Sequence, residues 1–163
     1  MRLPRTALIV AATVLVAAGL WLRHYFSPGE VVKRKVRAVV EAFEEERLLG
    51  AMALVSRSYS DQWGNSYESA AGYLRQLMDA CDDFDVESVF GGVDAAPDTV
   101  RVGLEFVVSG RCEQTSGLVF GSPLEPCAAV LVWQKETPGW RLATIAELDI
   151  PELREELEAR RPR

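Results

Sequence analysis

The acidic charge of the chain and its residue types exclude several classes of function. Of its 163 residues, 24 are acidic and 18 are basic, and residues 28–163 contain all 24 acidic but only 15 basic side chains, a net charge of −9. Such a surface repels phosphate backbones, so nucleic-acid binding is not expected. The single histidine, His24, precedes the folded domain, and the three cysteines lack a CxxC spacing. A histidine-based triad is therefore excluded and a zinc site is not expected. The sequence predicts neither a metal nor a cofactor.

The first feature in chain order is an apolar segment of 17 residues, 6–22, that contains no charged side chain. Arg2 and Arg5 precede it, and aromatic and basic residues mix at 21–25, as is common where a helix leaves a membrane. This length is the lower limit for a spanning helix, and we predict a single-pass anchor. Residues 17–19 (Ala-Ala-Gly) form an acceptable cleavage site, so a cleaved signal peptide is the alternative, but the apolar run continues past that site.

Three helices are predicted after a break and short linker at residues 27–29, Ser-Pro-Gly. The first begins at Glu30 and is amphipathic, because valines and a phenylalanine recur at three- and four-residue steps. A second, short helix is predicted over residues 51–55. Asn65 is predicted to cap the third helix, and Glu68, three residues later, would complete a capping box.

Four β-strands are predicted in the second half of the chain. Apolar residues alternate over residues 84–90 and 100–108, and the continuous apolar run at 129–133 is typical of a central strand. A tight turn at residues 137–139 leads into the last strand, 140–145. The remaining segments are predicted as a turn-rich connection at 91–98, a loop at 110–126 and a short charged helix at 152–160.

The pairing of the two central strands is predicted from the cysteines that flank the loop, Cys112 and Cys127. If these cysteines lie opposite each other, Phe106 faces Trp133 and the apolar residues of both strands share a face. This register would allow a disulfide between Cys112 and Cys127. Two unpaired thiols at the strand ends are the alternative. Cys81 lies on the apolar stripe of the third helix and is predicted to be a buried, inert thiol.

The cellular location is predicted from the same cysteines. Basic residues occur on both sides of the apolar segment, so the distribution of charge does not settle its orientation. Disulfides persist in oxidising compartments. We therefore expect a protein of the cell membrane whose soluble domain lies on the extracytoplasmic side. The predicted units are the anchor or signal peptide with its linker at 1–27, a folded domain at 28–148 and a charged helical tail at 149–163.

Three helices followed by a four-stranded antiparallel meander give an α+β layout, in which the helices cover one face of a curved sheet. The matching segments are the end of the first helix at residues 43–50, the aromatic and polar connector at 54–63, the capped third helix and the closing strand at 139–143. With this combination, residues 31–148 resemble the NTF2-like superfamily, which includes the SnoaL-like proteins and ketosteroid isomerase. The resemblance informs the fold more than the function, because the matching segments contain no diagnostic catalytic motif.

The resemblance implies a cone-shaped pocket between the concave face of the sheet and the helices. Its lining in this sequence would consist of large side chains, namely Phe43, Tyr59, Trp63, Tyr73, Leu77, Phe106 and Trp133. The alternative is that these side chains simply fill the cone as core, which is the commoner role of aromatic residues at helix and strand spacing.

Isomerase-like members of the superfamily use a carboxylate base together with a tyrosine and a second carboxylic acid. The candidates in this sequence are Asp61 or Asp79, with Tyr59 or Tyr73 as the donor. Neither aspartate lies on a strand where such a base would point inward.

Two hypotheses for the function remain. The favoured one is a membrane-tethered, non-catalytic binding or protein-interaction module of the cell envelope. Its partner would be a small apolar ligand, another protein, or a second copy bound through the face of the sheet. The alternative is a small isomerase, cyclase or dehydratase that acts on an apolar substrate through Asp61 or Asp79.

Overall fold

A computed structural model describes residues 5–112 and 115–151 of the chain. The helices and strands in these residues follow one another as α1 (Arg5–Tyr25), α2 (Pro28–Glu44), α3 (Leu48–Met52), α4 (Tyr67–Ala80), β1 (Cys81–Ala95), β2 (Thr99–Cys112), β3 (Thr115–Phe120), β4 (Cys127–Glu136) and β5 (Gly139–Asp149). The strands form one antiparallel sheet in the order β1-β2-β4-β5, and β3 pairs with the C-terminal part of β2. The α+β class, with helices over an antiparallel sheet, is confirmed.

Helix α2 begins with a proline and is capped by the residue before it. The side-chain oxygen of Ser27 accepts a hydrogen bond from the Glu30 amide at 3.4 Å, and Pro28 lies in the first turn, where its missing N–H costs nothing. Val32 and Val36 are buried against the sheet. The predicted break at residues 27–29 is confirmed, but these residues cap and start α2 and do not form a linker.

Helix α4 is capped by Ser66, and the prediction of Asn65 as the cap is wrong by one residue. The Ser66 side chain accepts a hydrogen bond from the Ser69 amide and donates one to Glu68. Asn65 stays outside the helix because its backbone and side-chain N–H groups both donate to Asp61. The short helix α3 likewise lies three residues earlier than predicted.

The register between β2 and β4 differs from the predicted one by six residues. Phe106 lies opposite Cys127, and Trp133 lies opposite Val100, so the prediction that Phe106 faces Trp133 is wrong. Because six is an even number, the alternating side chains keep their faces and the same residues point to the core. The cause is β3. Part of the segment predicted as a loop folds back on the end of β2, so β4 pairs with an earlier part of β2 than a simple hairpin would allow.

Strand β1 is longer than predicted and begins directly after α4. Its pairing with β2 is interrupted twice, between Asp82 and Asp85 and between Phe90 and Val93. Such interruptions break the alternation by which a strand is recognised. The sequence therefore predicted only residues 84–90, while most of the connection predicted at 91–98 belongs to the strand.

The disulfide joins Cys81 to Cys112, so the predicted pairing of Cys112 with Cys127 is wrong. The prediction of Cys81 as an inert thiol is wrong as well. Cys81 is the first residue of β1 and lies directly opposite Cys112 on β2, with the two Cα atoms 4.1 Å apart. Cys127 is buried at the start of β4, opposite Phe106. The shifted register is the reason, because it places Cys127 six residues along β2 from Cys112.

Two groups of buried side chains hold the helices on the sheet. The main core lies between α2, the connector and the strands β2, β4 and β5, and its buried members are Val32, Val36, Tyr59, Val100, Val102, Leu104, Ala129, Leu131, Trp133, Trp140 and Leu142. The tip cluster surrounds the disulfide where β1 begins and β2 ends, and its buried members are Cys81, Phe84 and Val108. Phe106 packs against both groups.

The outer edge of β1 is covered near the tip cluster by the end of α2 and the residues after it. The carboxylate of Glu44 accepts a hydrogen bond from the Val86 amide at 2.9 Å. The carboxylate of Glu46 accepts one from the Asp83 amide at 3.0 Å. Two backbone N–H groups of this edge strand are therefore satisfied within the chain.

Helix α1 and the residue after it expose large apolar side chains. Those exposed between residues 14 and 26 are Val14, Leu15, Val16, Leu20, Trp21, Leu22, Tyr25 and Phe26. Among the described residues, no helix combines the length and the hydropathy that crossing a membrane requires. The charged helix predicted at residues 152–160 lies outside the described part of the chain.

Candidate functional site

Three of the seven side chains predicted to line a pocket lie on the inner face of the sheet. Tyr59 and Trp133 are buried in the main core. Phe106 is partly buried between the main core and the tip cluster. Tyr59 of the connector and Trp133 of β4 therefore share the main core, whereas Phe106 lies six residues along β2 from Val100, the partner of Trp133.

The other four predicted pocket residues lie elsewhere. Phe43 and Leu77 pack against the tip cluster, where the Phe43 ring lies 4.6 Å from that of Phe84, measured between centroids. Trp63 is partly buried in the connector. Tyr73 is 54% exposed on α4. Whether these residues contribute to a ligand pocket stays a prediction.

The carboxylate of Asp61 organises the connector. Its Oδ1 accepts hydrogen bonds from the backbone amides of Trp63 and Asn65, each at 2.9 Å. Its Oδ2 accepts one from the Asn65 side chain at 2.9 Å and one from the Tyr59 hydroxyl at 3.3 Å. Four donors thus converge on this carboxylate and close the chain into a turn just before α4. Asp79, the other predicted carboxylate, is exposed on α4.

The hydroxyl group of Tyr59 is held in its protonated form. Burial of the side chain raises its pKa, and the charge of Asp61 and the hydrogen bond to it raise the pKa further. The backbone at Ile145 acts in the opposite direction, with a smaller effect. A tyrosine in this state donates a hydrogen bond and does not serve as an anionic base.

Three buried N–H donors of the described residues have no hydrogen-bond partner, namely Trp133 Nε1, Trp63 Nε1 and Gln62 Nε2. Trp133 is only 1% exposed, so its indole N–H does not face bulk solvent. A buried donor that is left unsatisfied costs about 1–3 kcal/mol, and such donors are nearly always paired with protein or ordered water. An acceptor atom of a water molecule or a ligand is therefore expected at Trp133 Nε1. The buried donor of Gln62 is not identified by the sequence analysis, because no hydrophobic periodicity or motif marks this glutamine.

A second polar contact fastens the connector to the end of β4. The Ser56 hydroxyl, in a residue that is 1% exposed, donates to the Glu136 carboxylate at 2.6 Å. The Ser58 amide donates to the same Ser56 oxygen, and the Ser56 amide donates to the carbonyl group of Leu142 on β5. These bonds hold the connector against the sheet. The sequence carries no signal for them beyond a serine-rich connector.

The outer face of the sheet carries a shallow depression of about 430 Å³, which is lined by Gly92, Val93, Asp94, Arg101, Gly103 and Val130. Arg101, Gly103 and Val130 alternate with core residues along their strands, so the depression lies on the face opposite the main core. Within residues 5–112 and 115–151, no cluster of His, Cys, Asp and Glu side chains could hold a metal ion.

Comparison with solved structures shows the fold. A proposed scytalone dehydratase from Novosphingobium aromaticivorans has a TM-score of 0.61 and 10% sequence identity, over 73% of this chain and 80% of that chain. A proposed dehydratase of the NTF2-like family from Streptomyces avermitilis has a TM-score of 0.55 and 13% identity, over 71% and 91% of the two chains. The fold is NTF2-like.

A third similar structure is a proposed association domain of a calcium/calmodulin-dependent protein kinase type II from Thiobacillus denitrificans. Its TM-score is 0.54 at 17% identity, over 74% of this chain and 92% of that chain. At such identities the likeness concerns the fold alone. No family model and no curated protein matches the sequence. The NTF2-like fold expected from the sequence is confirmed, and β3 is an addition to the expected four-stranded meander.

Proposed function

We propose that this chain is a membrane-tethered, non-catalytic binding module of the cell envelope. The observation that carries the proposal is the exposure of eight large apolar side chains between residues 14 and 26. A contiguous apolar surface is unfavourable in water and marks a region that lipid or protein covers. The rings of Trp21 and Tyr25 stack with their centroids 5.3 Å apart. Amphipathic aromatic rings of this kind favour the interface between membrane and water.

The length of α1 supports an anchor that includes residues 6–22. The helix has 21 residues, which at 1.5 Å per residue gives about 31 Å, close to the thickness of the hydrocarbon layer. No helix among the described residues combines the length and the hydropathy of a membrane span. The support for an anchor is the uncharged segment 6–22 and the apolar side chains that residues 14–26 expose.

The disulfide supports an extracytoplasmic domain. Although the pairing differs from the predicted one, a bond between Cys81 and Cys112 requires the same oxidising surroundings. The proposed location is thus the outer side of the cell membrane, with the anchor at the N-terminal end of the domain.

The binding role is proposed for the main core around Trp133. A ligand that is largely apolar and presents one hydrogen-bond acceptor would satisfy the unpaired indole N–H while it contacts the aromatic rings on the inner face of the sheet. The outer face of the sheet is the surface proposed for a protein partner or a second copy. The ligand would thus be a small apolar molecule, and the partner another protein or a second copy of the chain, as expected from the sequence.

The carboxylates support binding over catalysis. Asp61 already accepts four hydrogen bonds, and Asp79 is exposed on α4.

The alternative function, an isomerase, cyclase or dehydratase, has one specific observation in its favour. The Tyr59 hydroxyl lies 3.3 Å from Asp61 Oδ2, and a tyrosine beside a carboxylate is the pairing that such chemistry uses. Two of the similar structures also carry the word dehydratase in their names.

Cell fractionation tests the tether. The full-length protein is expected in the membrane fraction and should stay there after carbonate extraction, because an inserted helix is not removed by high pH. A variant with Val14→Arg and Val16→Arg places two charges in the apolar segment and should leave the membrane fraction. Ser60→Arg with Gln76→Arg adds the same two charges at exposed positions elsewhere and is the matched control. A mature N-terminus near Leu20, or release of the wild type by carbonate, would contradict the anchor.

Native mass spectrometry of the full-length protein, released from mild detergent, tests the binding role. We expect a co-purified small molecule with the wild type and a weaker signal with Trp133→Phe, which keeps an aromatic ring but removes the N–H donor. Trp21→Phe on α1 is the control and should retain the molecule. A wild-type protein that shows only its own mass would remove the support for a bound ligand.

A further inference from the structure

We propose that the basic corner, defined as residues 23–37 at the junction of α1 and α2, binds the anionic headgroups of a phospholipid membrane and holds the domain in one orientation on it. This inference rests on the proposed membrane tether, and not on which side of the membrane the domain occupies, and adds to the tether a specific lipid-contacting surface. The experiment below separates failure of the corner from failure of the tether.

The charge of the chain is unevenly distributed. The basic corner contains one carboxylate and five basic side chains, namely Arg23, Lys33, Arg34, Lys35 and Arg37. Residues 38–163 contain 11 basic and 23 acidic side chains, a net charge of −12. An acidic domain next to an anionic bilayer is repelled by it, whereas basic side chains next to an anchor are attracted. The basic corner has the sign that complements such a membrane, and it lies where the proposed anchor ends.

The packing of α2 directs these side chains away from the main core. Gly29, Val32 and Val36 are the buried positions of this part of the helix. Successive residues are rotated by about 100° around the axis, so positions 33, 34, 35 and 37 fall on the remaining arc. Arg37 is exposed, and its guanidinium lies 5.1 Å from the centre of the Phe90 ring. The charged end of Arg37 therefore lies over an aromatic ring at the surface of the domain.

Arg34 joins the two helices at the corner. Its guanidinium lies 4.0 Å over the Tyr25 ring and donates a hydrogen bond to the Tyr25 carbonyl oxygen at 2.9 Å. That carbonyl group belongs to the last turn of α1, where helices leave acceptors unsatisfied. Phe26, the next residue, is exposed. Aromatic and basic side chains are thus fixed at one place, the combination that favours the headgroup region.

The single carboxylate of the basic corner is already engaged. Glu30 accepts a hydrogen bond from Lys33 at 2.9 Å. This bond, together with the positive charges of Lys33 and Arg37, lowers the pKa of Glu30. The negative charge is therefore neutralised locally and does not repel an anionic headgroup from the rest of the corner.

Amine acylation measured by mass spectrometry tests the contact directly, because the chain has three lysines, two in the corner and one on β4, Lys135. The full-length protein is reconstituted into vesicles of phosphatidylcholine, with or without phosphatidylglycerol. With the anionic lipid, we expect Lys33 and Lys35 to react roughly three- to fivefold more slowly. High salt should remove this difference. Lys135 is exposed but lies beside Asp98, at the end of the sheet that Gly29 approaches. The reference amine is therefore supplied by Arg75→Lys at an exposed position of α4, which should react at the same rate in both vesicles.

A double variant, Arg34→Gln with Arg37→Gln, removes two charges and keeps both reporter lysines, so most of the protection should be lost. The control Arg47→Gln with Arg75→Gln removes two exposed charges outside the basic corner and should keep the protection. Vesicle flotation distinguishes the failures. A protein that floats with both vesicles but shows equal acylation overturns the corner alone. A protein that floats with neither kind of vesicle overturns both the tether and the corner. A protein that floats only with the anionic vesicles overturns the tether but supports the corner.

Discussion

The main core and the tip cluster are built on one sheet but are held together by different means. The main core has 11 buried side chains, which include two tryptophans, and α2 covers it. The tip cluster has three buried side chains, and the disulfide between Cys81 and Cys112 crosses it. Eight partly buried hydrophobic residues pack against the tip cluster, so burial there is less complete than in the main core. We therefore expect the disulfide to contribute more to stability at this end of the sheet than packing alone.

Ion pairs at the tip are a minor addition to the disulfide. Arg111 contacts Asp82 at 2.9 Å and Asp83 at 2.8 Å, and all three side chains are largely exposed. The hydrogen bond from Arg111, followed by its charge, lowers the pKa of Asp82. Exposed pairs contribute little to the free energy of unfolding because water and salt screen them. The disulfide is therefore expected to dominate at this end of the molecule.

The largest expected effect comes from removing the centre of the main core. Trp133→Ala should lower the free energy of unfolding by about 3–5 kcal/mol, because it creates a cavity where burial is almost complete. Chemical denaturation of the full-length protein measures this loss. Trp21→Ala, at an exposed position, should change the value by less than about 0.5 kcal/mol. A loss at Trp133 below about 1 kcal/mol would mean that the main core is not organised around this side chain.

Opening the disulfide should have the next largest effect. Cys81→Ser with Cys112→Ser frees a loop with a sequence separation of 31, which corresponds to about 3–4 kcal/mol in the chain-entropy model. Chemical denaturation measures the loss, and peptide mapping without reduction should recover Cys81 linked to Cys112. A recovered link between Cys112 and Cys127 would contradict both the disulfide and the register of β4. Hydrogen exchange sharpens the comparison, because loosening should stay near β1, β2 and β3 and leave β5 protected.

Removing the carboxylate of Asp61, which closes the turn before α4, should lower the free energy of unfolding by a smaller amount. Asp61→Ala leaves the amides of Trp63 and Asn65 without their acceptor, which should cost about 1–3 kcal/mol of unfolding free energy. Asp79→Ala, on the exposed side of α4, is the matched control and should stay within about 0.5 kcal/mol of the wild-type free energy of unfolding.

We expect neither Asp61→Asn nor Asp79→Asn to abolish the biological phenotype in a folded protein. Loss of the phenotype at unchanged stability would favour the catalytic alternative.

The ionisation of Tyr59 should have the smallest effect on the free energy of unfolding, and only in alkaline solution. Its pKa is raised in the folded state, so above a pH of about 10 the unfolded chain loses the phenolic proton while the folded chain keeps it. Stability is then unaffected at neutral pH and falls as the pH rises, by about 1.4 kcal/mol per pH unit at most. Denaturation between neutral pH and pH 11 should show this slope. Tyr59→Phe should reduce the slope, and the exposed control Tyr73→Phe should not.

The sequence predicted the faces of the strands well and their register poorly, for a single physical reason. Side chains on a strand alternate with a period of two, so every shift by an even number of residues satisfies the same pattern. The shift of six residues between β2 and β4 is of this kind. The information that fixes the register lies in β3, whose pairing with the end of β2 leaves no simple signal in residues predicted as a loop.

The disulfide and the site were harder to predict because local patterns overlap. Cys81 continues the helical spacing of the apolar residues in α4, yet it starts β1, where Asp83 adopts a positive φ of 53° and the alternation is broken. The four hydrogen bonds to Asp61 depend on a turn whose shape no periodicity reveals. By contrast, the resemblance to the fold implies that Tyr59 and Trp133 lie between the sheet and the helices, and both are buried there.

The carboxylates of Glu44 and Glu46 at the outer edge of β1 limit what this strand can join. An uncovered strand edge is a template on which another chain can add a strand and start an aggregate. At Val86 and Asp83 the outward N–H groups already donate to these two carboxylates. An incoming strand would have to displace a pair of charged acceptors that belong to the same chain. Such shielding would matter most for a protein confined to the plane of a membrane, where neighbouring copies meet far more often than in free solution.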